Sequence, residues 1–484
     1  MAESLKNTTI RGVGWSIIDT LSYQGITFLV GMVLARLLTP EEYGLIGIVV
    51  IFVVVFDAIV DGGFSNALIR KNDADDLDYS TVFFANLVVS IFLAVLLFFL
   101  APAIGSFFKQ PQLAPLTKVM SSIIIINAFA IIQRTILVKR IDFKTQTKCS
   151  LISSLIGGAV GIGMAIGGFG VWSLVGQQVS LQLVRVLLLW CLTRWYPKLQ
   201  YSWSRFMDLF NFGWKLLASS IISTLWNQMY QVVIGKFYNP AILGQFTRAQ
   251  QFSTICSSNL TAVVQRVSYP VLSKIKDDKL RLKEAYRRVI KTTVLMSFVL
   301  MLGMAAVAKS MIQVLIGDQW LPAVPYLQII CLYMMLYPLH AINLNMLQVQ
   351  GRSNLFLKLE ILKKGVAVIP ILLGVFVDIY WMLAGCVVTD VFAYYLNAHY
   401  SGPFIDYSFK DQVKDILPLL GVAFTMAIPV FCLSFIPISP FLLLPLQIIA
   451  GAMITIVMCE KTKMEEYNEL KAIALGFLQK IKQI

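Results

Sequence analysis

Of the 484 residues 58% are apolar and 14% charged, which leaves too little polar surface to coat a soluble globule of this size. Long uncharged runs such as Gly44 to Phe56, Thr81 to Ile104 and Gly421 to Met458 recur from end to end, so the chain reads as stacked membrane-spanning helices, the form that satisfies backbone polar groups in lipid. The net charge of +14 invites a nucleic-acid reading, but its distribution along the chain assigns it to membrane orientation, and no nucleic-acid partner is expected.

In chain order, the first dozen residues, MAESLKNTTIRG, are polar and lack the apolar core and small-residue cleavage site of a signal peptide, which predicts an uncleaved first span. Fourteen spans are expected at about 13–37, 44–69, 81–107, 113–137, 150–168, 170–193, 210–236, 241–265, 289–313, 322–347, 359–378, 380–399, 414–436 and 440–459. When the connections are numbered alternately, about thirty-one of the forty Lys and Arg residues fall on one side, against roughly four (Arg36, Lys109, Lys236 and Lys309) on the other. That bias predicts cytoplasmic N- and C-termini and an even number of spans. The outer connections, such as LTPEEYG, KQPQ and GGFG, are too short to fold. The basic stretch Ser268–Arg288 reads as a helical arm, and 461–484 as a cytoplasmic amphipathic tail suited either to the inner leaflet or to solvent. Seven cysteines lie in or beside spans with no metal-ligand spacing, so neither a metal nor another cofactor is expected.

An internal repeat divides the spans. Gly14-Trp15 leads to Arg36, Pro40 and Gly44, and Gly213-Trp214 leads to Lys236, Pro240 and Gly244; Trp172 and Gly176 are echoed by Trp381 and Gly385. Matched spans lie six apart, so both copies cross in the same direction. The expected organisation is an N-terminal six-helix lobe over 1–200, a second over 201–405, two additional spans in 406–460 and the tail. Parallel repeats of this kind suit an alternating-access transporter with its path between the lobes.

Polar residues inside the spans mark where such a path would be. A mid-bilayer charge costs about 2.5–3.5 kcal/mol on insertion scales, so each needs a polar cavity or an exit to the interface. Lys215, Ser219, Ser223, Asn227 and Gln231 recur at i+4 along one span, and Asp19, Tyr23, Gln24 and Thr27 share a face of the first. Arg185 lies too deep to snorkel, and Arg248 is followed by Gln250 and Gln251. Arg134, near a span end, reads as an interfacial anchor, Asp61 as a helix terminus, and His340 and His399 as isolated packing residues. Asp19 and Asp390 are the candidates for binding a coupling proton or sodium ion.

The segments ARLLTPEEYGLIGI, IGKFYNPAILGQFTRAQQF, YPVLSKIKDDKLRLKEAYRR, GDQWLPAVPYLQII and GRSNLFLKLEIL make the chain resemble the Wzx-type polysaccharide flippases of the multidrug, oligosaccharidyl-lipid and polysaccharide exporter superfamily, in the branch exporting colanic-acid, O-antigen and teichuronic-acid polymers. The resemblance implies an all-α polytopic fold, two six-helix lobes around a central cavity plus two extra helices, in the bacterial inner membrane. It also implies a non-enzymatic flippase that moves a polyprenyl-pyrophosphate-linked oligosaccharide from the cytoplasmic to the outer leaflet, alongside a polymerase and chain-length regulator of the same pathway. Arg185, Arg248 and Lys215 are the candidates for the pyrophosphate; Asn227, Gln231, Gln24 and Tyr23 are those for sugar contact. The competing readings are a multidrug or small-cation extruder, a membrane-bound polysaccharide polymerase and a non-transporting scaffold.

Overall fold

A computed structural model describes residues 22–472, and among these the chain is helical with no strand. The helices are α1 (Ser22–Leu37), α2 (Pro40–Asp61), α3 (Phe64–Arg70), α4 (Asp76–Phe107), α5 (Leu113–Met120), α6 (Ser122–Lys139), α7 (Phe143–Ile166), α8 (Trp172–Thr193), α9 (Trp203–Phe237), α10 (Pro240–Lys274), α11 (Lys279–Leu315), α12 (Ala323–Met334), α13 (Tyr337–Val349), α14 (Ser353–Val366), α15 (Val368–Phe376), α16 (Ile379–Ser401), α17 (Phe409–Cys432) and α18 (Pro440–Lys461). Their outward faces are apolar: Phe99 is 74% exposed and Leu187 64%, the inverse of a water-soluble surface and the condition for lipid contact.

Among the described residues ten helices, some of them jointed pairs, are long and apolar enough to cross a membrane. The first expected span, 13–37, is described only from residue 22, and 359–378 is divided between α14 and α15. The spans expected at 210–236 and 241–265 fall in α9 and α10. Each runs for 35 residues, ample length for a bilayer, yet both are too polar to be among the ten.

The chain forms two compact units, 1–244 and 245–484. In the first, capping fixes where helices begin. Thr39 and Glu42 close a capping box ahead of Pro40 at the start of α2, and Asp75 and Asp78 do the same for α4. Asp78 is fully buried and pairs with Lys71 at 2.7 Å and Arg205 at 3.3 Å, tying the start of α9 to α4. α9, which the repeat groups with the second lobe, packs here on α2, α3 and α4. The two PxxxG motifs of the repeat meet in this unit. A Cβ on Gly44 would lie 1.7 Å from the carbonyl oxygen of Pro240, and one on Gly244 would lie 1.9 Å from that of Pro40, so each glycine makes room for the other motif's backbone.

In the second unit α11, α13, α16 and α17 are joined by a buried polar network. Asn343, fully buried, accepts hydrogen bonds through Oδ1 from Tyr286 (2.8 Å), Ser401 (2.7 Å) and Gln412 (3.3 Å), and Tyr394 donates to Gln412 at 3.0 Å. The basic arm is the end of α10, a turn and the start of α11. The described part of the tail, helical from 465 to 472, turns Met464, Tyr467 and Leu470 to the core of this unit. Its Glu466 and Glu469 pair with Lys291 and Arg288 of α11. Residues 473–484 lie outside the described part.

Replacing Asn343 by Leu strands three donors in a dry interior. The expected loss of stability is about 3 kcal/mol, measured as a lowered thermal or denaturant midpoint of the detergent-solubilised protein. An unchanged midpoint would show that the network does not fix these four helices.

Candidate functional site

Polar residues of α1, α2, α6, α7 and α8 in the first unit converge on two adjoining cavities of about 260 and 400 Å³. Arg134, Gln146 and Arg185 line both. Around them α1 supplies Tyr23 and Gln24, α2 supplies Asp57 and Asp61, and α6 supplies Asn127. The helices place these groups by periodicity. Asp57 and Asp61 are four apart, Asn127 and Arg134 seven, and Gln182 and Arg185 three, so each pair shares a face.

The guanidinium of Arg185 accounts for much of the site's chemistry. Its Nη1 donates to Gln182 Oε1 at 3.3 Å, and its carbon stands 5.2 Å from the centre of the Tyr23 ring, a cation–π contact. Its Nε is buried with no hydrogen-bond partner among the described residues. A positive charge is thus held beside a cavity in an otherwise apolar bundle. The acids opposite are restrained. Asp57 accepts from Asn127 at 2.6 Å and Asp61 accepts from Ser65, while Ser65 in turn accepts from Thr135 at 3.2 Å. Asp61 is also the last residue of α2, ahead of left-handed Gly62, so it ends a helix and lines the cavity at once.

Of the residues singled out in the sequence, Arg185, Tyr23 and Gln24 are brought together here. Lys215, Asn227 and Gln231 stand on one face of α9, the first two exposed and Gln231 half-buried, and neither cavity takes a lining residue from that helix. Arg248 belongs to the second unit, where its guanidinium donates to Gln251 and lies 6.0 Å from the Trp320 ring centre. Asp390 is also in the second unit, with its Oδ2 3.1 Å from His340 Nε2; His340, read from sequence as isolated, has an ionisable neighbour. Asp19 lies outside the described residues. Arg134, Gln146, Gln182 and Asn127 were missed as site residues. The seven-residue spacing of Asn127 and Arg134 in the mostly apolar SIIIINAFAIIQRTILVK was the available signal.

If the cavity holds water, a thiol placed in it should react with polar reagents. In a background with the seven native cysteines replaced, Gln182→Cys is expected to react with a water-soluble methanethiosulfonate roughly tenfold or more faster than Leu187→Cys, because the thiolate forms only where water reaches. Equal rates would mark the cavity as dry.

The fold matches solved transporters. A structure of the lipid II flippase MurJ in an inward closed conformation superposes with a TM-score of 0.75 at 16% identity, covering 95% of this chain and 99% of that one. An inward-facing multidrug resistance MATE family transporter of the MOP superfamily gives 0.58 at 17% identity, covering 82% and 99%. In sequence, the succinoglycan biosynthesis transport protein ExoT of Rhizobium meliloti is 29% identical over 326 residues, 67% of this chain and 66% of its own length, just under two thirds. The teichuronic acid biosynthesis protein TuaB of Bacillus subtilis is 27% identical over 73% of each chain. The lipopolysaccharide biosynthesis protein WzxC of Escherichia coli is 24% identical over 77% of this chain and 76% of its own. The family profile described as polysaccharide biosynthesis protein matches residues 33–325, more than half of the chain. This multi-pass membrane protein therefore belongs to the polysaccharide biosynthesis protein family, in agreement with the Wzx-type resemblance of its sequence.

Proposed function

We propose that this protein is a flippase that carries polyprenyl-pyrophosphate-linked oligosaccharides across the bacterial inner membrane for export as surface polysaccharide. The observation that carries the reading is the pairing of Arg134 and Arg185 on shared cavities between apolar helices. Guanidinium groups suit a pyrophosphate because they donate in parallel to its oxygens. Tyr23, Gln24, Gln146 and Gln182 supply hydrogen-bonding groups and an aromatic face of the kind sugars require, while the polyprenyl chain stays in lipid. Family membership supports the same cargo.

The repeat copies 1–200 and 201–405 are the two lobes that alternate access, and 406–460 is an appended pair. Both termini and the tail 461–484 face the cytoplasm, as the distribution of Lys and Arg favours. On the second copy Arg248 and Lys215 are further anion contacts, and Asn227 and Gln231 further sugar contacts. Asp19 or Asp390 binds the coupling ion, a proton or sodium. The protein acts without catalysis on a finished repeat unit, beside a polymerase and a chain-length regulator.

The test is flipping of a fluorescent polyprenyl-pyrophosphate oligosaccharide in vesicles. Arg134→Ala and Arg185→Ala, each present in the membrane at parental level, are expected to slow it roughly 10- to 100-fold, the equivalent of one charge-assisted contact of about 1.5–3 kcal/mol. Lys at either position is expected to recover part of the rate, since charge is kept and the planar fork lost. Parental rates in both Ala variants would remove these arginines from the head-group site.

A further inference from the structure

In the second unit an imidazole and a carboxylate face each other in the middle of a membrane helix. Asp390 is the twelfth of the 23 residues of α16, and its Oδ2 lies 3.1 Å from Nε2 of His340 on α13. The approach is off-line for a good hydrogen bond, and neither atom has another partner among the described residues. Only 12% of the His340 side chain and 26% of the Asp390 side chain are exposed. The other imidazole nitrogen, Nδ1, lies 3.0 Å from the side-chain amide of Asn397.

We propose that His340, Asp390 and Asn397 form a proton-binding site that takes up and releases one proton inside the second unit. With a neutral ring, Asn397 donates its NH₂ to Nδ1, the ring hydrogen is on Nε2 toward Asp390, and the site carries one negative charge. Uptake of a proton at Nδ1 gives an imidazolium beside a carboxylate. The net charge becomes zero, the form an apolar surrounding favours. A half-turn of the Asn397 amide then presents its oxygen, which has no partner among the described residues, to the new Nδ1–H. Asn397 can thus meet either charge state of the ring. It lies seven residues along α16 from Asp390, on the same face.

α10, hydrogen-bonded to α12 and α13 through Ser257 and Gln265, carries Arg248, Cys256, Arg266, Tyr269 and Lys274. α11 contributes Tyr286 and α16 itself Tyr394, whose ring centre is 6.4 Å from that of His340; both phenols are engaged in the Asn343 network. α14, which packs on α13 and α16, carries Lys358, Glu360, Lys363 and Lys364, with Glu360 and Lys363 paired to each other. α12 brings Tyr326, Cys331 and Tyr333, α15 no ionisable side chain, and α17 has Lys410, Asp411, Lys414 and Asp415 in its first two turns, with Asp415 bonded to Arg287.

The site coincides with one of the two acids proposed above for ion coupling. Its use in transport rests on the flippase reading, but proton binding does not. The chain has two histidines, so His399→Gln leaves His340 as the only imidazole. In full-length, ¹⁵N-histidine-labelled protein in lipid nanodiscs, the ring is expected to pass from neutral to charged as the pH is lowered across the range in which the protein stays folded. Adding Asp390→Asn should weaken its proton affinity about tenfold or more, and Asp390→Glu should largely restore it. A ring whose charge does not change over that range overturns the proposal, as does a titration that Asp390→Asn leaves in place. So does a curve displaced when sodium replaces potassium, which would make the ligand a metal cation. In vesicles, the acceleration of flipping by an imposed pH gradient should vanish in His340→Gln. If the ring titrates as stated while the parent protein flips no lipid-linked oligosaccharide, the transport reading fails and the proton site stands. If the parent flips and the ring does not titrate, the site fails alone.

Discussion

Hydrocarbon offers no hydrogen bonds, and that single deficiency organises this molecule. The backbone answers it with helices and, among the described residues, no strand. The side chains answer it by sorting. Asn343, with three donors on one oxygen, and Asp78, buried between two cations, are matched and therefore hold helices together. Arg185 is only partly matched, with an idle Nε beside a cavity. Polar groups satisfied by their own neighbours build structure, whereas the Arg185 guanidinium lines a cavity.

The cavity in the first unit balances charge. Two guanidiniums and two carboxylates line it, yet their engagements differ in kind. Asp57 and Asp61 are turned to Asn127 and Ser65 on the walls, whereas Arg185 is braced by the carbonyl oxygen of one amide and the face of one ring. Such bracing orients a cation without neutralising it, so an incoming anion need not break an ion pair at Arg185. The neighbouring acids offset charge that would otherwise be expensive to hold in the membrane.

Span positions were legible because hydropathy and punctuation act locally: α4, α8 and α18 begin and end within several residues of the expected spans, while α11 ends close to its expected span but begins ten residues earlier. The polar stripe on α9 was legible for the same reason, and its polarity is why that helix falls outside the ten apolar spans. Arg185, Tyr23 and Gln24 were each visible singly; that α6 and α7 close the same cavity with Arg134 and Gln146 depends on helix packing, which one-dimensional spacing does not encode. His340 shows the limit most clearly. It has no charged neighbour within nine residues in sequence, and its carboxylate partner lies fifty residues away on another helix.

The reciprocal fit of Gly44 and Gly244 reaches beyond packing. What each glycine would strike is a main-chain carbonyl, and no exchange of side chains in the opposite motif can move it aside. Neither position can therefore be rescued by a change at the other, although the two motifs touch. The two PxxxG motifs are thereby bound to glycine together, because their backbones share one space.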